Sequence, residues 1–250
     1  MNYALPLTRA LLRDRAREVV AYLRFIHAAV ERDAVLTAYG GVRLVLKKSL
    51  THTLKANLYL LLYSTVEATM SQLLKEVHGA IRRSGASADA LHPDLFLHMM
   101  RRFQEIQTEL TTTNTTQPIA ASIVQAWLSD YDNAVERNRN YLFSGNLDGR
   151  SIHEVLRKYG MVPTNQAKPS PTHTHASLQK AKDERNALAH GSKSFGDLGQ
   201  TLGASSLSSE ARSLFRTLSC ITTTASDYIE KQRFLKSLPP TAHVPPLPPA

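Results

Sequence analysis

Arg185, Asn186 and His190 stand within one run of six residues, Arg185-Asn186-Ala187-Leu188-Ala189-His190, and Gly191 follows directly. A permanent cation with forked donors, a carboxamide and an imidazole are the groups that grip a phosphodiester and move protons around it. Arg185 would hold a scissile phosphate and neutralise charge developing on its oxygens. His190 would take a proton from a ribose 2′-hydroxyl or deliver one to the leaving oxygen, and Asn186 would orient the phosphate or Arg185. A plainer reading fits the same residues: an exposed arginine, and a histidine where a helix C-terminus favours positive charge.

Positions five apart on an α-helix lie roughly 140° apart around its axis, so Arg185 and His190 cannot both reach one phosphate from an unbroken helix. The helix must therefore stop between them and the phosphate, or a second copy of the chain must contribute. Gly191 is the residue expected at a helix C-terminus, where a left-handed conformation ends the ladder and lets the last side chain turn.

Two further segments accompany the run. Leu54 to Thr69 reads as a long helix with Glu67 set into its apolar part, and Ser144-Gly145-Asn146-Leu147-Asp148 leads through Ile152 to Lys158-Tyr159-Gly160. With Arg-Asn-x-x-x-His and the trailing Ser194-Phe195-Gly196, these segments resemble the HEPN superfamily, most closely its MAE-type HEPN-like nucleases. The resemblance covers roughly residues 50 to 235 and leaves 1–45 and the last dozen residues without a signature. It implies an all-α, elongated helical bundle and a metal-independent endoribonuclease that needs no cofactor. It also implies a homodimer whose two motifs line one composite cleft, with RNA as substrate through 2′-hydroxyl attack. By the same resemblance the setting is toxin–antitoxin or phage defence, with an antitoxin or defence-system protein as partner. Two other classes remain open: a catalytically silent HEPN module binding nucleic acid, nucleotide or protein, and a purely structural dimerisation bundle.

Helical periodicity supplies the elements that must carry these groups. Leu12, Val19, Leu23, Ile26 and Val30 fall on one stripe; Leu54, Leu58, Leu62, Val66, Met70, Leu73, Val77 and Ile81 fall on a longer one. Shorter helices are expected at about 93–110, 119–138 and 150–159, and a final long one carries Leu214, Leu218, Ile221, Ala225, Tyr228 and Ile229. Strand-like alternation is confined to Val42–Leu46. Breaks are expected at Gly40-Gly41, Ser84–Ser87, Thr111–Pro118 and Met161–His175, the last a mobile loop just before the motif helix. The chain divides into an N-terminal helical segment (1–45) packing on the bundle, a HEPN-like helical domain (46–236) and a disordered Pro-rich tail (237–250).

The chain's 250 residues, 42% of them hydrophobic, can bury one substantial core. A formal charge of +9 favours polyanions. Most of the basic residues read as solvated helix faces, but Lys180 and Lys182 share the motif helix and are candidate contacts to an RNA backbone. The longest apolar run, Leu58–Tyr63, is too short to cross a bilayer and the N-terminus lacks a signal-peptide core, so a cytoplasmic protein without membrane contact is expected. A lone Cys220 excludes an internal disulfide and a cysteine-rich zinc site, and reads as a small core residue. His173-Thr174-His175 has metal-like spacing without supporting ligands. Asp130, Asp132 and Glu136 form an acidic patch that reads as salt-bridged surface beside Arg137 and Arg139. No metal site is expected. Glu67 has two readings: it buttresses Arg185 or orients His190, or it forms a buried ion pair between helices.

Overall fold

A computed structural model describes residues 4–31, 35–37, 39–41, 43–112, 123–136, 147–161 and 171–236. Residues 162–170 of the expected loop, the Pro-rich residues 237–250, the polar run at 113–118, Ser144, Gly145, Asn146, Arg137 and Arg139 lie outside these residues.

The fold is all-α. Its spine is α2 (Lys48–Ser84), about 55 Å long at 1.5 Å per residue. Leu58, Leu62, Val66, Met70, Leu73, Val77 and Ile81 of the expected stripe are buried along it. The helix ends where Gly85 turns left-handed at φ 64°, with Arg82 and Arg83 in the last turn suiting the negative end of the dipole.

The first helix, α1 (Pro6–Glu31), runs antiparallel to α2. Proline fits its first position, where an N–H would lack an intrahelical partner. The next two N–H groups, of Leu7 and Thr8, donate to the Glu76 carboxylate of α2 at 3.1 and 2.7 Å. Tyr22 donates to the Leu54 carbonyl at 2.7 Å further along. Leu12, Val19, Leu23 and Ile26 face the core, but at the end of the stripe Ala29 is buried while Val30 turns outward.

Two three-residue strands, β1 (Val35–Thr37) and β2 (Arg43–Val45), pair antiparallel across Gly40 and Gly41, both at positive φ. The expected extended piece is thus β2, and β1 is an addition to the sequence reading. Helices α3 (Pro93–Thr112) and α4 (Ile123–Glu136) pack an aromatic group around His78. His78 is fully buried, its Nε2 2.6 Å from the Tyr159 hydroxyl. Burial, with His98 and Arg82 adding to it, pushes that imidazole down to about 3, so it is neutral in the folded protein near neutrality. Two residues of the acidic patch are salt-bridged, by partners from other helices: Arg102 reaches Asp130 at 2.8 Å and Arg82 reaches Asp132 at 2.7 Å; the Glu136 side chain lies outside the described residues.

The remaining helices are α5 (Gly149–Lys158), α6 (Pro171–Ala189), α7 (Phe195–Gln200) and α8 (Ala204–Glu230). Helix α6 starts at Pro171, so 171–175 belong to its first turns and not to a loop. Proline, which suggested a break, is also a favoured first helical residue. Cys220 on α8 is half-buried, not in the core. Leu207, Leu214, Leu218, Ala225 and Tyr228 of α8 are buried with the α2 stripe in one continuous core. No helix of the described residues is long and apolar enough to cross a membrane.

Candidate functional site

Helix α6 ends where the sequence predicts. Gly191 adopts φ 70°, and the Lys193 N–H and Ser192 hydroxyl both donate to the Ala187 carbonyl, each at 3.2 Å, occupying an acceptor the helix leaves open. His190 sits in this turn with its side chain exposed. Arg185 lies one and a half turns earlier, half-buried. The turn frees His190 without bringing it into contact with Arg185: among the described residues, neither hydrogen bond nor ring contact joins the two.

What lies beneath Arg185 is Tyr63. The guanidinium carbon stands over the Tyr63 ring, 4.6 Å from its centre, within cation–π range. One guanidinium nitrogen donates to the Asn186 side-chain oxygen at 2.9 Å. The neighbouring carboxylate, Glu184, is held by Lys193 at 2.8 Å. Among the described residues no carboxylate pairs with Arg185, so its remaining donors can take an external anion.

Tyr63 is 2% exposed and joins the segments that carry the resemblance. Its hydroxyl accepts the Leu147 N–H at 3.0 Å and shares a hydrogen bond with Glu67, one helical turn along α2. Burial foremost, and then the Glu67 charge, push the phenol up, while the Leu147 N–H and Arg185 pull the other way. Glu67 is half-buried; among the described residues no ion pair joins it to Arg185, and both act on Tyr63. Tyr63→Phe keeps the ring under Arg185 but leaves a buried N–H at Leu147 unpaired. It should cost about 1–3 kcal/mol in a urea-unfolding measurement.

The turn before α5 is tied to the motif helix as well. Asp148 caps α5 in a reciprocal box with Ser151: its side chain accepts the Ser151 N–H at 2.8 Å, and its own N–H donates to the Ser151 hydroxyl at 2.9 Å. Its other carboxylate oxygen accepts from Lys182 at 2.8 Å. Partial burial pushes this carboxyl up, but Lys182 and the Ser151 donors outweigh burial and hold it at about 2, below its usual 3.8. A depressed carboxylate stabilises the fold above its unfolded pKa, and that contribution disappears as pH falls through the folded value. Wild-type stability should therefore drop between pH 3.8 and about 2, and Lys182→Met should flatten that part of a stability–pH curve.

Both lysines named from the sequence are engaged. Lys182, its side chain 16% exposed, would have to release Asp148 to reach a phosphate. Lys180 bonds Glu210 of α8 and lies over the Tyr59 ring, 5.8 Å from its centre, with more of its side chain in solvent. Tyr59 and Tyr63 are the residues the sequence reading missed. The signal that would have found them is a second stripe on α2, Lys55-Tyr59-Tyr63-Glu67, at strict four-residue spacing. Lys55 at its start donates to the Leu202 carbonyl at 2.6 Å, and burial pulls its ammonium pKa down.

The arrangement is a phosphate-sized cationic fork on an aromatic platform, with an exposed imidazole at the end of the same helix. The MAE_28990-like HEPN family matches the chain over residues 10–234, which takes in most of α1 as well as the motif. No curated protein and no solved structure matches it.

Proposed function

The chain belongs to the MAE_28990-like HEPN family, and from that premise we propose that it is a metal-independent endoribonuclease acting through Arg185 and His190. The observation that carries this reading is Arg185 itself: half-buried, set over the Tyr63 ring, braced by Asn186, and without a carboxylate partner among the described residues. A guanidinium held this way presents paired donors to the two non-bridging oxygens of a phosphodiester. In the proposed reaction the ribose 2′-oxygen loses its proton and bonds to phosphorus, and the bond from phosphorus to the 5′-oxygen breaks. The 5′-oxygen gains a proton as it leaves. The products are a 2′,3′-cyclic phosphate and a 5′-hydroxyl, and His190 serves the proton transfer. DNA lacks the nucleophile and stays uncut.

The separation of Arg185 from His190 within one copy supports an active homodimer in which Arg185 of one copy and His190 of the other share a cleft. Lys180, with the freer of the two lysine side chains, contacts the flanking RNA backbone, and Glu67 positions Arg185 through Tyr63. The biological setting is a toxin–antitoxin or phage-defence system in which a partner protein restrains the nuclease. The same separation of Arg185 from His190 favours a second reading, a silent module that binds a phosphorylated ligand at Arg185 without cutting it.

Purified protein with total RNA in excess EDTA separates the two. Fragments ending in 2′,3′-cyclic phosphate, made by wild type and by neither Arg185→Ala nor His190→Ala, are the expected result. Intact RNA that still binds the folded protein at Arg185 would install the silent module. DNA fragments under the same conditions would overturn the 2′-hydroxyl chemistry.

A further inference from the structure

A groove of about 860 Å3 opens between α1 and the first half of α8, on residues the catalytic reading does not use. Val19, Leu23 and Ala211 are buried at its floor; Phe215 and Val20, the latter 45% exposed, form apolar walls. One end is tied by His27, whose Nε2 lies 2.9 Å from the Ser208 hydroxyl.

The rim is cationic. Arg24 of α1 and Arg212 and Arg216 of α8 line the groove with exposed side chains, and among the described residues none has a carboxylate partner. Two other arginines of α1 do have carboxylate partners: Arg15 pairs with Glu18 at 2.7 Å and Arg17 with Asp14 at 3.1 Å. Arg212 and Arg216, four apart on one helix face, repel each other unless an anion lies between or above them.

We infer that this groove docks an acidic amphipathic helix from a protein partner. The lining runs from residue 16 to 28 on α1, about 18 Å, or roughly three helical turns. An apolar floor with charge along its edges is the surface an amphipathic helix covers, its apolar stripe on the floor and its flanks against the rim. Glutamates on those flanks meet three arginines. The chain's own Pro-rich residues 237–250 contain no Asp or Glu, and a second copy, +9 overall, supplies no net charge complementary to this rim. Partner docking here does not depend on whether Arg185 and His190 cleave RNA.

The test uses the full chain and labelled helical peptides that share one apolar stripe and differ only in flanks of glutamate, glutamine or lysine, read by fluorescence anisotropy. The glutamate peptide should bind at least about tenfold tighter than the glutamine one, the sum expected of several exposed ion pairs. Arg212→Glu with Arg216→Glu should abolish that preference and turn it toward the lysine peptide. Val20→Glu, at an exposed position that leaves the core intact, should weaken all three. Equal binding of the glutamate and glutamine peptides, or glutamate binding that survives the double reversal, would overturn the proposal. Displacement of the glutamate peptide by RNA would assign the groove to nucleic acid instead. A dimer in sedimentation velocity that Val20→Glu dissolves would assign it to a second copy.

Discussion

Arg185→Ala and His190→Ala proteins, each inactive on RNA, should recover cleavage when mixed. Removing a general acid–base lowers a rate by about 10²- to 10⁴-fold, and removing a charge-stabilising donor by about 10²- to 10³-fold, so each variant alone should be near background. In a twofold dimer with composite sites, a mixed pair has one site with both substitutions and one with neither. Random exchange makes half the dimers mixed, and half of their sites intact, so the mixture should show about a quarter of wild-type activity. The geometry motivates the experiment: His190 is exposed beyond the end of α6, and Arg185 is fixed against Tyr63 within its own chain. A mixture that exchanges subunits, as shown by a mass tag, yet stays inactive would place both groups of each site in one copy.

The second large effect is on stability. Gly199 of α7 lies so close to α2 that a Cβ would stand 1.9 Å from the His52 carbonyl oxygen, 2.4 Å from its carbon and 2.6 Å from its Cα. All three atoms are backbone of the central helix and cannot swing aside. Gly199→Ala must push α7 off α2 and should cost about 3 kcal/mol, read as a lowered urea midpoint. Gly196→Ala is the control within the same helix, because its Cβ would meet only the Ser194 hydroxyl at an ordinary 3.7 Å. There alanine's better helix propensity should leave stability unchanged or raised by up to about 1 kcal/mol. Equal midpoints for the two variants would show that α7 does not need its contact with α2.

That contact explains one limit of sequence reading. Phe195-Gly-Asp-Leu-Gly-Gln is a poor helix by composition, with two glycines in six residues. It is held as α7 by the Ser194 cap and by packing on α2, and no local pattern announces long-range packing. The long helices are the opposite case. The leucine stripes of α2 and α8 have one period over many turns, and Gly191 marks the end of α6 by its own backbone chemistry.

At the candidate site the motif residues were legible and their surroundings were not. Arg185, Asn186 and His190 are neighbours in sequence, so their types alone suggested phosphate chemistry. The platform under Arg185 comes from Tyr63, more than a hundred residues earlier, and it was hidden among leucines that dominate the same helix. Lys182 carries the same lesson: positive charge on the motif helix suggested RNA, whereas Asp148, distant in sequence, already holds it.

The Glu76 cap bears on how the chain can be shortened. Its carboxylate receives the N–H groups of Leu7 and Thr8 and the Thr8 hydroxyl, at 3.1, 2.7 and 2.5 Å. The family match opens only at residue 10. A fragment trimmed to that boundary would discard every one of these donors and leave the Glu76 carboxylate, in the C-terminal third of α2, without them, while freeing the end of α1 to fray. Charge-assisted bonds of this kind contribute about 1.5–3 kcal/mol each, so the working limit of the folded unit lies upstream of the limit that sequence similarity draws.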